Sequence, residues 1–250
     1  MRYIICSILV AAIHKVSFAQ IVNIESKRIQ SDTTGWLGGA GTSFLFEKNA
    51  VQVMNINANA HIEYKSSKSL YLFLVNYNFL KGSGQTLNNN FFYHLRYNYK
   101  LNKLLRWEVF TQLQQNSVTC IKLRVLAGSG PRFKLARSKY ISLYGATAAM
   151  YEYEKEQTVP AVYHRDLRSS SYFSFTYDPS KNAELIATVF YQPLFDNFSD
   201  YRLLNEISIK FKFVKHFSFR ANWYYLYDSK PAATIPKLNY SISNGISYDF

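Results

Sequence analysis

From about residue 36 onward, apolar and polar residues alternate in stretches of roughly ten to thirteen, the period of a strand with two unlike faces. The pattern is cleanest near the C-terminus. In 201–213, Leu203, Ile207, Ile209, Phe211 and Phe213 share one face, opposite Arg202, Glu206, Ser208, Lys210 and Lys212. In 216–227, Phe217, Phe219, Ala221, Trp223, Tyr225 and Tyr227 oppose His216, Ser218, Arg220, Asn222 and Tyr224. In 238–250, Leu238, Tyr240, Ile242, Ile246, Tyr248 and Phe250 oppose Asn239, Ser241, Ser243, Ser247 and Asp249, with Asn244 interrupting the apolar face. Stretches 52–64, 91–101 and 105–113 alternate in the same way. The stretch 69–79, SLYLFLVNYNF, is apolar on both faces, and its pattern assigns no inside.

Read along its length, the chain predicts twelve strands: 36–47, 51–64, 69–80, 89–101, 105–115, 122–135, 140–153, 165–177, 183–193, 201–213, 216–227 and 238–250. No stretch carries a helical period, and no linker divides the chain. The connections alternate in length. KSSKS, LNK, ARSK, DPSKN and VKH are tight; KGSGQTLNN, QNSVTCI, YEKEQTVPAVYHR, QPLFDNFS and DSKPAATIPK are longer, and EKNA is a short exception. Short turns at one end and long loops at the other is the plan of an antiparallel up-and-down barrel in an outer membrane, with short periplasmic turns and longer outer loops.

Alternation alone also fits a soluble barrel with its apolar face inward, such as a secreted protein that binds a hydrophobic ligand. Three features favour the membrane. Aromatics sit near the ends of the apolar faces, as at Tyr64, Tyr97, Tyr99, Trp107, Tyr177, Trp223, Tyr225, Tyr227 and Tyr248, where an interfacial girdle would lie. The strands are long against the usual ~5–6 residues of globular sheets. The opposite faces carry Arg96, Arg106, Glu108, Arg124, Arg132, Lys134, Glu152, Arg168, Glu206, Lys210, Lys212 and Arg220, which then line a lumen. In lipid a sheet edge cannot stay open, so the last strand is expected to pair with the Gly-rich first, GWLGGAGTSFLF.

Composition agrees. FWY residues make up 17% of the chain, and the formal net charge is +13. Residues 1–19 read as a cleaved signal peptide: Arg2, the apolar stretch Tyr3–Ile13, then Ser17-Phe18-Ala19. Loss of Arg2 and Lys15 leaves +11, and loss of Cys6 leaves Cys120 alone, so no internal disulfide framework is expected. Residues 20–34 follow as a short periplasmic segment, and 35–250 form the barrel. Export sets aside a nucleic-acid partner despite the basic balance.

The polar residues offer few candidates for chemistry. His216-Phe217-Ser218 has the look of the His/Ser pair of a lipid-modifying deacylase, but it falls beside a tight turn on the wrong side for lipid A, with no acid to orient His216. The Ser/His/Asn set of an outer-membrane phospholipase is not found. Asp196, Asp200, His164 and Asp166 in the outer loops lack the spacing of a paired-Asp protease. The histidines are scattered, and neither H-E-x-x-H nor C-x-x-C occurs, so no metal or cofactor is assigned. Gly128-Ser129-Gly130-Pro131-Arg132 lacks the ending of a phosphate loop and reads as distortion of a barrel wall. No catalytic residue is assigned. The inward charges point instead to a passive barrel: a narrow pore that mildly favours anions, or a structural barrel plugged by its own charges.

The signal peptide, the chain length, the G-x-G-P-R stretch at 128–132 with a tight turn and Tyr140 after it, and the aromatic last strand resemble the salt-induced outer-membrane proteins of bacteria, a family of unknown function. The wealth of Asn, Tyr, Lys and Phe is similar to barrels of the Bacteroidetes type. The resemblance implies a barrel in a Gram-negative outer membrane, in contact with its lipid and lipopolysaccharide, and supplies no site residues. Tyr240, Ile242, Ile246, Tyr248 and the terminal Phe250 resemble the signal read by the barrel assembly machinery.

Overall fold

The computed structural model describes residues 34–180, 182–214 and 217–248. The expected signal peptide, most of the segment 20–34, His216 and Phe250 lie outside the described residues. Twelve strands follow in chain order: β1 (Gly35–Lys48), β2 (Gln52–Lys65), β3 (Ser69–Gly82), β4 (Gln85–Lys100), β5 (Leu105–Asn116), β6 (Ile121–Arg137), β7 (Ile141–Glu156), β8 (Tyr163–Ser180), β9 (Ala183–Pro193), β10 (Tyr201–Val214), β11 (Phe217–Asp228) and β12 (Leu238–Tyr248). All join in one antiparallel sheet in which each strand pairs with its neighbours in sequence, β1 through β12. The expected up-and-down order and strand count hold.

Register settles the stretch that alternation left open. Leu70, Leu72 and Leu74 lie opposite Asn98, Arg96 and His94 of β4, all on the enclosed face. Tyr71, Phe73 and Val75 therefore point outward, level with Tyr97, Leu95 and Tyr93. Enclosure comes from the curl of the sheet, which brings together side chains of strands three and four apart, as when Tyr172 of β8 reaches Glu108 of β5. The outward face keeps its large apolar side chains exposed, among them Tyr71, Trp107, Phe173 and Trp223.

Two expectations need correction. The loop expected at 81–89 is a two-residue hairpin, because Ser83 (φ 53°) and Gly84 (φ 79°) both adopt the left-handed conformation that a type I′ turn demands. As a result the long connections cluster in the second half of the chain: six residues after β7, seven after β9 and nine after β11. The second correction concerns closure. No ladder joins β12 to β1 among the described residues, and both faces of β1 are largely exposed. The enclosed positions of these two strands explain the seam. β1 presents Gly39, Gly41 and Ser43 there, and β12 presents Ser241, Ser243 and Gly245. Such short side chains reach nothing across the gap, whereas those of β4–β11 interlock.

Candidate functional site

The interior is layered. At the long-loop end, alternation along β7 sets Glu152, Glu154 and Glu156 on the enclosed face at successive inward positions. Glu152 is the hub, with no solvent exposure. It accepts hydrogen bonds from Arg124 of β6 at 2.8 Å and from Arg202 of β10 at 2.7 and 2.9 Å, and it pairs with Arg168 of β8 at 3.6 Å. Glu154 lies 3.5 Å from Arg124 and 3.4 Å from Arg202. The second edge of Arg202 meets Asp228 of β11 at 2.9 Å. Arg168 also holds Asp200, in the connection after β9, at 3.0 Å and Asp166 at 3.3 Å. His164 meets Glu156 at 2.8 Å. Three arginines and their carboxylates thus tie together β6, β7, β8, β10 and β11. Planar, five-donor guanidinium groups suit this role, since each can engage several carboxylates at once.

Below this layer lies an apolar one. Phe110, Leu126 and Met150 pack together, and beside them Tyr172, Phe190, Leu204, Tyr224 and Leu226. Gly128 makes room for the Phe110 ring; a β-carbon there would fall 2.4 Å from it. Toward the short-turn end a second polar group follows. The Arg132 Nε donates to Tyr172 Oη at 2.9 Å, and that hydroxyl donates to Glu108 at 3.0 Å. Glu108 also pairs with Arg96 at 3.4 Å and with Arg132 at 3.6 Å. The Arg132 guanidinium lies 3.7 Å from the centre of the Tyr144 ring, a cation–π contact. Arg96 lies over Phe110 at 5.2 Å and donates to His94 at 3.3 Å. On the β2–β4 side Asn57, Asn78 and Asn88 form a ladder of side-chain amide hydrogen bonds, and Glu63 of β2 is buried at the short-turn end, 3.3 Å from Lys65.

The structure separates the expected lumen-facing charges into two sets. Arg96, Glu108, Arg124, Arg132 and Arg168, together with Glu152, are buried and engaged in the two networks. Arg106, Lys134, Glu206 and Lys212 are half-buried, and Lys210 and Arg220 are exposed. Alternation put Arg202 on the polar face but the expected lumen set omits it, and Glu154, Asp228 and Tyr172 were passed over. Glu154 and Asp228 fell at or just past the expected strand ends, where the same alternation simply continues. Tyr172 was hidden because an aromatic on a polar face looks like a break in the pattern.

The arrangement is suited to holding strands together. Asp200 of the connection after β9 and Asp166 of β8 both pair with Arg168, and His164, also on β8, shares a hydrogen bond with Glu156. No group of three or more potential metal-ligating side chains occurs among the described residues. Cys120 closes the four-residue turn between β5 and β6 with φ 58°, its Sγ 3.5 Å from the Thr234 hydroxyl. Outside, aromatic rings form a row at each end: Trp36, Tyr64, Tyr71 and Tyr97 at the short-turn end, and Tyr191, Tyr201 and Tyr227 at the long-loop end, with successive centroids 4.8–6.2 Å apart.

No curated protein matches the chain. Among solved structures it is similar to the NanC porin, with 10% identity and a TM-score of 0.48 over 86% of this chain and 99% of that one. It is also similar to the translocator domain of the autotransporter NalP from Neisseria meningitidis, with 10% identity, a TM-score of 0.45 and coverage of 88% and 90%. The KdgM porin gives 11% identity, a TM-score of 0.42 and coverage of 86% and 99%. One family, described as "Protein of unknown function", matches residues 51–250.

Proposed function

Because the chain belongs to the DUF481 family, whose function is unknown, we propose on its own geometry that it is a closed outer-membrane barrel whose lumen is sealed by its buried ion network. The observation that carries this reading is the Glu152 hub, which ties Arg124, Arg168 and Arg202 across the interior at the long-loop end. A narrow barrel whose inward charges find partners across it has no continuous water column. Of the two passive roles that the inward charges allow, a structural barrel is therefore favoured over an anion-favouring pore.

The outward face supports the membrane. It keeps large apolar side chains exposed along its strands and carries an aromatic row at each end, as girdles do. Its strands of 11–18 residues suit tilted spans. In that setting β1 and β12 pair, because each unpaired backbone group in hydrocarbon costs several kcal/mol. The resemblance to salt-induced outer-membrane proteins fits the same location, with an N-terminal signal peptide, contact with outer-membrane lipid and lipopolysaccharide, and delivery by the barrel assembly machinery.

Planar-bilayer recording on refolded protein tests the proposal. The expected result is no conductance above background, with a band that shifts on boiling in a gel. Steady conductance of an unaltered barrel overturns the seal, and recovery of the chain in the soluble periplasm overturns the membrane assignment.

A further inference from the structure

Positive side chains of the enclosed face gather at the short-turn end. At the short-turn end, positive side chains lie directly opposite one another on the enclosed face: Lys210 of β10 faces Arg220 of β11, Lys100 of β4 faces Arg106 of β5, and Arg106 faces Arg132 of β6. Like charges directly opposite in a sheet, ~4.5–5.5 Å apart at their β-carbons, are destabilising. The long-loop end is built the other way, with Arg124 opposite Glu154 and Arg202 opposite Asp228. The two mouths therefore differ in register: at one, opposite charges face each other across neighbouring strands, and at the other, like charges do.

The sharpest point of the positive mouth is Lys210, Lys212 and Arg220. They have no salt bridge among the described residues. Lys210 and Arg220 are exposed, although they lie on the enclosed face. Glu184 of β9, opposite Lys210, is the carboxylate nearest in register. Closing the seam does not neutralise them, because β12 offers Ser243 and Gly245 at its inward positions and the adjacent half of β1 offers Leu37, Gly39 and Gly41. Lys210, Lys212 and Arg220 thus face inward positions of β12 and β1 that carry no acid among the described residues, Glu184 being the acid opposite Lys210.

The geometry points to a phosphate-binding cup at the short-turn mouth, in which Lys210, Lys212 and Arg220 hold a phosphate group. It rests on the sealed, closed barrel, which makes the mouth a blind recess open to the periplasm. Arg220 can offer two parallel N–H donors to phosphate oxygens, and the lysines offer point charges. The group can belong to a free phosphate compound or to a phospholipid headgroup of the inner leaflet.

Isothermal titration of the detergent-purified full chain with inorganic phosphate, and capture of the chain on nanodiscs of phosphatidylcholine with and without phosphatidylglycerol, separate the two sources. Saturable binding of inorganic phosphate identifies a free compound; binding only to discs with phosphatidylglycerol identifies a headgroup. In either case the triple variant K210Q/K212Q/R220Q is expected to weaken binding at least tenfold while keeping its heat-dependent gel shift, and E184Q to tighten it severalfold. If neither probe binds, or if binding is unchanged in the triple variant, the cup is overturned. Should the triple variant fail to fold, unchanged affinity in E184Q overturns it instead. Bilayer conductance reads the seal separately, so a silent barrel without phosphate binding refutes the cup alone.

Discussion

Replacing Glu152 with Gln keeps the shape of the hub and removes its charge. Three guanidinium groups then face a neutral amide: Arg124 from 2.8 Å, Arg202 from 2.7 Å and Arg168 from 3.6 Å. Breaking a buried ion pair from one side costs about 3–5 kcal/mol, because the surviving charge stays out of water without its partner. Each arginine keeps a second carboxylate here: Glu154 for Arg124, Asp228 for Arg202 and Asp200 for Arg168. The expected loss is therefore about 3 kcal/mol, at the lower end. Urea unfolding in lipid vesicles, followed by tryptophan fluorescence, measures it. Adding Arg202→Met should return part of the loss, since the pair then leaves together, with a coupling of about 0.5–3 kcal/mol. The same E152Q protein should show intermittent conductance as the repelling arginines admit water. A loss below ~1 kcal/mol, the range of solvated surface pairs, would refute the buried hub and with it the seal.

Three further outcomes follow from particular contacts. Gly130→Ala should cost at least the ~1–3 kcal/mol of an overpacked core and lower the yield of heat-shifted barrel, since its β-carbon would lie 2.0 Å from the Thr147 carbonyl oxygen and 2.5 Å from the Ala148 Cα; Gly39→Ala, with open space around it, should be neutral in the same gel assay. Tyr172→Phe takes away the hydroxyl that joins Arg132 to Glu108 and should lower unfolding free energy by about 1–3 kcal/mol. Deleting Phe250 should reduce assembled barrel in outer-membrane fractions while export, read in whole-periplasm blots, stays normal.

Strand number and facing were legible because the side-chain period of a strand is short and local. The faces of 201–213 and 105–113 needed nothing beyond their own residues. The 69–79 stretch did, because its leucines and tyrosines are equally apolar; only pairing with His94 and Arg96 shows which set lies inside. Ion partners were illegible for a related reason. Alternation says that Glu152 and Arg202 face inward, but their meeting depends on how tightly the sheet curls across β7 to β10, and curl leaves no local mark. The Gly-rich 128–132 stretch was expected as wall distortion, but its register with β5 and β7 is regular; the glycines serve close packing instead, Gly128 yielding to the Phe110 ring and Gly130 to the β7 backbone.

The strict neighbour order of the twelve strands also has a kinetic meaning. Every ladder except the seam joins segments that leave the ribosome together, so the sheet can grow hairpin by hairpin at small loop-closure entropy. The first and last strands stand some 200 residues apart in the chain, and their inward residues, mostly glycine and serine, offer little to pull them together. Joining them is the one step of assembly with long range and weak guidance. It is the step at which a helper that grips the final strand would shorten the search most.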